Sequence, residues 1–97
     1  MGRKEMTPRY PSSRDQRRTL EAWKLCHTRW MNFGNLYNRI NRGGGEITMY
    51  PQWLRNAIDD LLKDGFLIQS GNGQYALYRP LKRGIDWLAT LPREIGE

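Results

Sequence analysis

The chain of 97 residues predicts a mostly helical α+β domain. Three observations carry that expectation. Apolar residues recur at spacings of three and four in several segments, the pattern of helices with one buried stripe. Two short alternating runs flank Gly71-Asn72-Gly73, the pattern of a hairpin. Most glycines and prolines fall between these segments or at their ends. A content of 38% hydrophobic and 27% charged residues suits an ordinary globule, and the length suits one domain.

Residues 1–12 hold Pro8, Pro11 and several charges with little apolar content, and are expected to form a flexible basic arm. Ser13, with Gln16 three residues on, has the spacing of a capping box. Leu20, Trp23, His27 and Trp30 then form one stripe, which predicts a long helix over residues 14–31. Asn32 and Gly34 break it. Phe33, Leu36, Tyr37 and Ile40 predict a second, short helix that stops before the loop Gly43-Gly44-Gly45. Residues 46–48 read either as a brief strand or as the approach to the next helix. Pro51 suits a first helical turn, and Leu54, Ala57, Ile58, Leu61 and Leu62 give the cleanest amphipathic pattern of the chain, closed by Gly65.

With Asn72 and Gly73 as central turn residues, Ile68 would face Leu77, Ser70 would face Tyr75 and Leu67 would face Tyr78. Pro80 opens a last helix with Leu81, Ile85, Leu88 and Leu91 on one side, and Pro92 closes it. The expected organisation is an arm at 1–12, a domain at 13–92 and a tail at 93–97.

Net charge is +6 and sits at the front. Residues 1–18 hold six bases against two acids, residues 19–49 four against two, and the remainder six of each. An anionic partner is the expectation, with nucleic acid the commonest. No apolar run approaches the roughly 20 residues of a membrane span. The first 18 residues have no apolar segment after their charges, so no secretory signal is expected there. The single cysteine, Cys26, closes no internal disulfide, and a reducing cytoplasm is the expected location.

The stretches LYNRI (36–40), WLRNAIDDLLKDGFLI (53–68) and GNGQYALYRPLKRGIDWL (71–88), in this order of elements, resemble the winged helix-turn-helix superfamily. The last is similar to the segment leading from a MarR- or PadR-like wing into a C-terminal helix. The resemblance spans about residues 14–91. It implies a three-helix core, a two-strand β-hairpin wing and a C-terminal helix, with the third helix entering the DNA major groove and the wing reaching an adjacent groove or the backbone.

On the third helix, residues 51–64, the apolar side chains turn inward and leave Gln52, Arg55 and Asn56 toward solvent. Gln and Asn can grip adenine edges and Arg can grip guanine, so these are the expected base contacts. Asp59, Asp60 and Asp64 outnumber Arg55 and Lys63 nearby, and acid beside a phosphate backbone opposes binding. The expected phosphate contacts are Arg14, Arg17 and Arg18, which share a helix face, with Arg39, Arg42, Arg79, Lys82 and Arg83 and the arm residues Arg3, Lys4 and Arg9. Asn72 and Gly73 at the wing tip, without Lys or Arg, are read first as closing the hairpin.

Trp53 lies off its apolar stripe, and Trp87, with Ile95 in the tail, exceeds what the last helix needs. Trp53 reads either as folding back against the glycine loop or the first helix or as a protein-interface residue. Trp87 reads as part of a possible interface, with the last helix as a homodimer surface. The expected function is a transcriptional regulator that binds duplex DNA without a cofactor. The alternative is a winged-helix adaptor or inhibitor that binds a protein. An enzyme is not expected. Cys26 and His27 are adjacent, about 100° apart on a helix, and converge on no common atom. The triple glycine lacks the Gly-Lys-Ser/Thr ending of a phosphate loop, and Asp59, Asp60 and Asp64 are not expected to hold a metal.

Overall fold

The computed structural model describes residues 10–42 and 48–91. In chain order these form α1 (Arg14–Leu20), β1 (Met31–Asn32), α2 (Phe33–Arg42), α3 (Pro51–Lys63), β2 (Leu67–Ser70), β3 (Leu77–Pro80) and α4 (Lys82–Ala89). The architecture is α+β and mostly helical, with a three-stranded antiparallel sheet in the order β1-β3-β2. The arm residues Arg3, Lys4 and Arg9, the triple glycine, Glu46 and Ile47, and Ile95 lie outside the described residues.

The start of α1 is fixed by the capping box its sequence announces. Ser13 Oγ accepts from the Gln16 backbone N–H at 3.1 Å, and Gln16 Oε1 accepts from the Ser13 N–H at 3.0 Å. The same oxygen takes the Ser12 N–H and hydroxyl, both at 2.7 Å, which satisfies a buried amide side chain.

The first helix does not run to residue 31. It ends at Leu20 and passes through a 3₁₀ turn, Glu21–Trp23, into irregular chain. Leu20 and Trp23 are buried as the stripe requires, but the later members, His27 and Trp30, are not carried on a helix. Two tertiary demands outweigh helical spacing here. The buried Trp23 indole needs an acceptor and finds the Arg29 carbonyl at 2.7 Å, and Met31 pairs with Tyr78 in the sheet. Asn32 then starts α2, its Oδ1 accepting the Asn35 N–H at 2.8 Å.

Leu54, Ile58 and Leu61 of α3 pack with Leu20, Trp23, Leu36, Met49, Phe66 and Tyr78 in one core. Each such side chain contributes roughly 1.5–3 kcal/mol by leaving water. The Asn41 amide clamps the chain entering α3, donating to the Met49 carbonyl at 3.2 Å and accepting the Met49 N–H at 2.8 Å. α3 closes at Gly65, whose φ of +81° is the left-handed conformation. The Phe66 N–H reaches the Leu61 carbonyl and the Gly65 N–H the Leu62 carbonyl, the paired bonds of a Schellman stop.

Two expectations for the hairpin are corrected. It is not a two-strand ribbon, because β1 pairs along the other edge of β3. Its connection is also longer than Asn72-Gly73. Gly71 and Gly73 both adopt positive φ and a 3₁₀ turn spans Gly73–Tyr75, so Ser70 faces Leu77, Gln69 faces Tyr78 and Ile68 faces Arg79. Relative to the expected pairing the register slips by two residues, which leaves each side chain on its expected face.

The last helix is also turned. Pro80 belongs to β3 and α4 starts at Lys82. Its buried side is Gly84, Trp87 and Leu88, while Leu81 is exposed. Gly84 explains the rotation: a Cβ there would lie 2.6 Å from the Phe66 carbonyl oxygen, so only glycine lets α4 dock this closely. Trp87, expected at an interface, is 8% exposed and belongs to the core.

Candidate functional site

Asn35, Asn38, Arg39 and Arg42 recur along α2 at spacings of three and four and therefore share one face, opposite the buried Leu36 and Ile40. That face forms one wall of an open groove of about 540 Å³, and Arg29, Trp30 and Met31 complete its lining. Three arginines thus line one concavity, with no Asp or Glu among the residues that line it. Among the described residues, none of Arg29, Arg39 and Arg42 forms an ion pair. A groove of this charge attracts anions.

The groove's other wall is held from the core. The hydrogen bond from Trp23 fixes the backbone of Arg29, and the strand pairing of Met31 fixes the chain two residues on. Trp30 between them is 39% exposed. The Arg79 guanidinium lies 5.0 Å from its ring centroid, in cation–π contact, and Arg79 Nε is buried without a hydrogen-bond partner among the described residues. Arg79 on β3 is thereby joined to the groove through Trp30.

The third helix presents a different surface. Gln52 and Asn56 are exposed and joined by a hydrogen bond of 3.1 Å. Arg55 does not stand beside them as a free group. It donates to the Tyr78 hydroxyl at 3.3 Å, lies 5.0 Å from the Phe33 ring centroid and sits 3.6 Å from Asp59. The hydrogen bond to Tyr78, ahead of the opposing effect of burial, holds its pKa above the ordinary arginine value. Arg55 ties α3 to β3 and α2. Trp53 is 42% exposed and tilts against Tyr50, itself 56% exposed, with ring centroids 4.6 Å apart.

The remaining expected residues are dispersed. Arg14 and Arg17 are exposed on α1 and Arg18 is half-buried. On α4 Lys82 is paired with Asp86 at 2.9 Å, and Arg83 lies over Phe66. Asn72 and Gly73 are exposed in the hairpin connection. Of the expected phosphate contacts, the structure brings together Arg39 and Arg42, with Arg79 beside them. It adds Arg29, Trp30, Asn35 and Asn38, which sequence reasoning missed. The polar stripe 35-38-39-42 was visible as a helical period, whereas Arg29 and Trp30 were concealed by the expected long helix.

Among the described residues no three His, Cys, Asp or Glu side chains gather as metal ligands. No described helix is long and apolar enough to cross a membrane. Comparison of the chain with protein-family models, with curated proteins and with solved structures finds no match.

Proposed function

We propose that the chain is a small winged-helix protein that binds duplex DNA and acts as a transcriptional regulator. The order helix, strand, helix, helix, hairpin, helix is compatible with that module. The observation that carries the reading is the acid-free arginine face of α2, Arg39 and Arg42 with Arg29 across the groove. Guanidinium groups take phosphate oxygens in bidentate fashion, and such contacts supply most of the affinity for a duplex. Gln52 and Asn56 at the exposed start of α3 are the base-reading candidates, since each amide can exchange their mutual bond for an adenine edge. Asp59, one turn along the same helix, is partly offset by Arg55.

Fluorescence anisotropy with a labelled duplex tests this. Between about 50 and 200 mM salt the affinity falls roughly a thousand-fold if about six phosphates are neutralised. The double variant Arg39→Ala/Arg42→Ala lowers the slope of log K against log salt by about 1.8. A flat salt response rejects the reading.

The exposed Tyr50–Trp53 pair favours a second reading, an adaptor or inhibitor that binds a protein. Loss of a captured protein in Trp53→Ala, with duplex binding absent in the parent, selects it.

A further inference from the structure

We propose that the groove between α2 and the Arg29–Met31 segment is a binding site for single-stranded nucleic acid, in which an unpaired base stacks on Trp30 while its flanking phosphates meet Arg29, Arg39 and Arg42. The proposal shares Arg29, Arg39 and Arg42 with the duplex reading and goes beyond it in assigning an unpaired base to Trp30.

Four features point to an unpaired nucleotide rather than a phosphate track alone. The arginines line a concavity instead of a ridge, and its 540 Å³ falls in the range of about 300–1,000 Å³ typical of sites that enclose a small group. Trp30 stands in its wall, partly exposed beside three cations, where a solvated surface would favour a polar residue. A base inside a duplex has both faces stacked and offers none to an indole, whereas an unpaired base does. Asn35 and Asn38 also line the groove, and their side-chain amides make no hydrogen bond among the described residues, which leaves donors and acceptors for a base edge.

Pre-organisation supports the same ligand. Arg79 packs on Trp30, and Trp23 anchors the backbone of Arg29 from the core. The stacking platform and the backbone that carries one of the three cations are therefore held in place before anything binds, which lowers the ordering cost of association. Three guanidiniums exceed what one phosphate needs and match a strand carrying a phosphate on each side of the stacked base.

The test measures affinity for a labelled 12-nucleotide single strand (about three times the smallest site of such proteins) and for a blunt duplex, using the full chain. The variants are Trp30→Ala, Trp30→Phe and Asn38→Asp, each checked for folding by circular dichroism. The readout is the ratio of single-strand to duplex affinity. It falls about tenfold in Trp30→Ala and recovers largely in Trp30→Phe, while Asn38→Asp, which sets a carboxylate in the groove without touching the core, lowers the single-strand affinity itself. Strand binding also quenches tryptophan fluorescence in the parent more than in Trp30→Phe. An unchanged ratio in folded Trp30→Ala, or an unchanged single-strand affinity in folded Asn38→Asp, overturns the proposal, as does equal affinity for a mononucleotide. Strand binding through Trp30 with no duplex binding would sink the duplex reading and leave this one standing. Duplex binding with an indifferent ratio does the reverse.

Discussion

The indole N–H of Trp23, a residue with no exposed surface, donates to the backbone carbonyl of Arg29 at 2.7 Å. This bond links the packed core to the wall of the arginine groove. It also explains why the chain abandons the helix after residue 23. A continued helix would carry Arg29 away from the indole and leave a buried N–H without an acceptor.

Replacing Trp23 by Phe keeps an aromatic ring but removes the donor. Stability is expected to fall by about 1–3 kcal/mol from the lost bond and the smaller ring. Nucleic-acid affinity should drop several-fold while the salt slope stays as in the parent, because no cation is lost and only its placement loosens. Thermal melting and a salt series measure the two quantities. An unchanged affinity would show that the Arg29 segment needs no such anchor.

Arg55 is expected to act through stability rather than through base contact. A double-mutant cycle of Arg55→Ala and Tyr78→Phe should give a coupling of about 1–2 kcal/mol, the range of a hydrogen bond to a charged donor partly exposed to water. Its pKa is raised in the folded state, so its contribution is complete below the unfolded value and is lost only as pH climbs through the still higher folded one. The coupling should therefore be the same at about pH 5 and about pH 9. Additive single effects in urea unfolding contradict the tie between α3 and β3.

Gly84→Ala introduces a Cβ 2.6 Å from the Phe66 carbonyl oxygen, a backbone atom that cannot rotate aside. Overpacking costs about 1–3 kcal/mol, against about 1 kcal/mol that alanine contributes as a better helix former. The balance is a lower melting temperature, by roughly 4–8 °C per kcal/mol for a chain of this length. A rise in melting temperature would place α4 differently from the docking described above.

Much of the fold was legible because local rules and tertiary packing agree. Ser13 and Gln16 cap α1, Pro51 and Gly65 bracket α3, and the stripe of Leu54, Ile58 and Leu61 is buried as its spacing demands. Illegibility set in where a long-range partner decides. Nothing local to Met31 announces a two-residue strand, since its pairing depends on Tyr78, far along the chain. Trp87 reads as surplus until the missing Cβ of Gly84 is seen to rotate α4 and bring the indole inward. Arg55 reads as an exposed base contact until β3 supplies the Tyr78 hydroxyl. The groove was half legible for the same reason. Its α2 wall follows from helical period, and its Arg29–Trp30 wall exists only because Trp23 folds the chain back.

The most direct measurement of the central claim is a titration of isotope-labelled protein with a short duplex, followed by backbone and guanidinium chemical shifts. Duplex binding by the arginine face predicts that the largest changes fall on Arg29, Arg39 and Arg42, with Gln52 and Asn56 next. Changes confined to Tyr50 and Trp53, or to α4, with the three arginines unmoved, would contradict it.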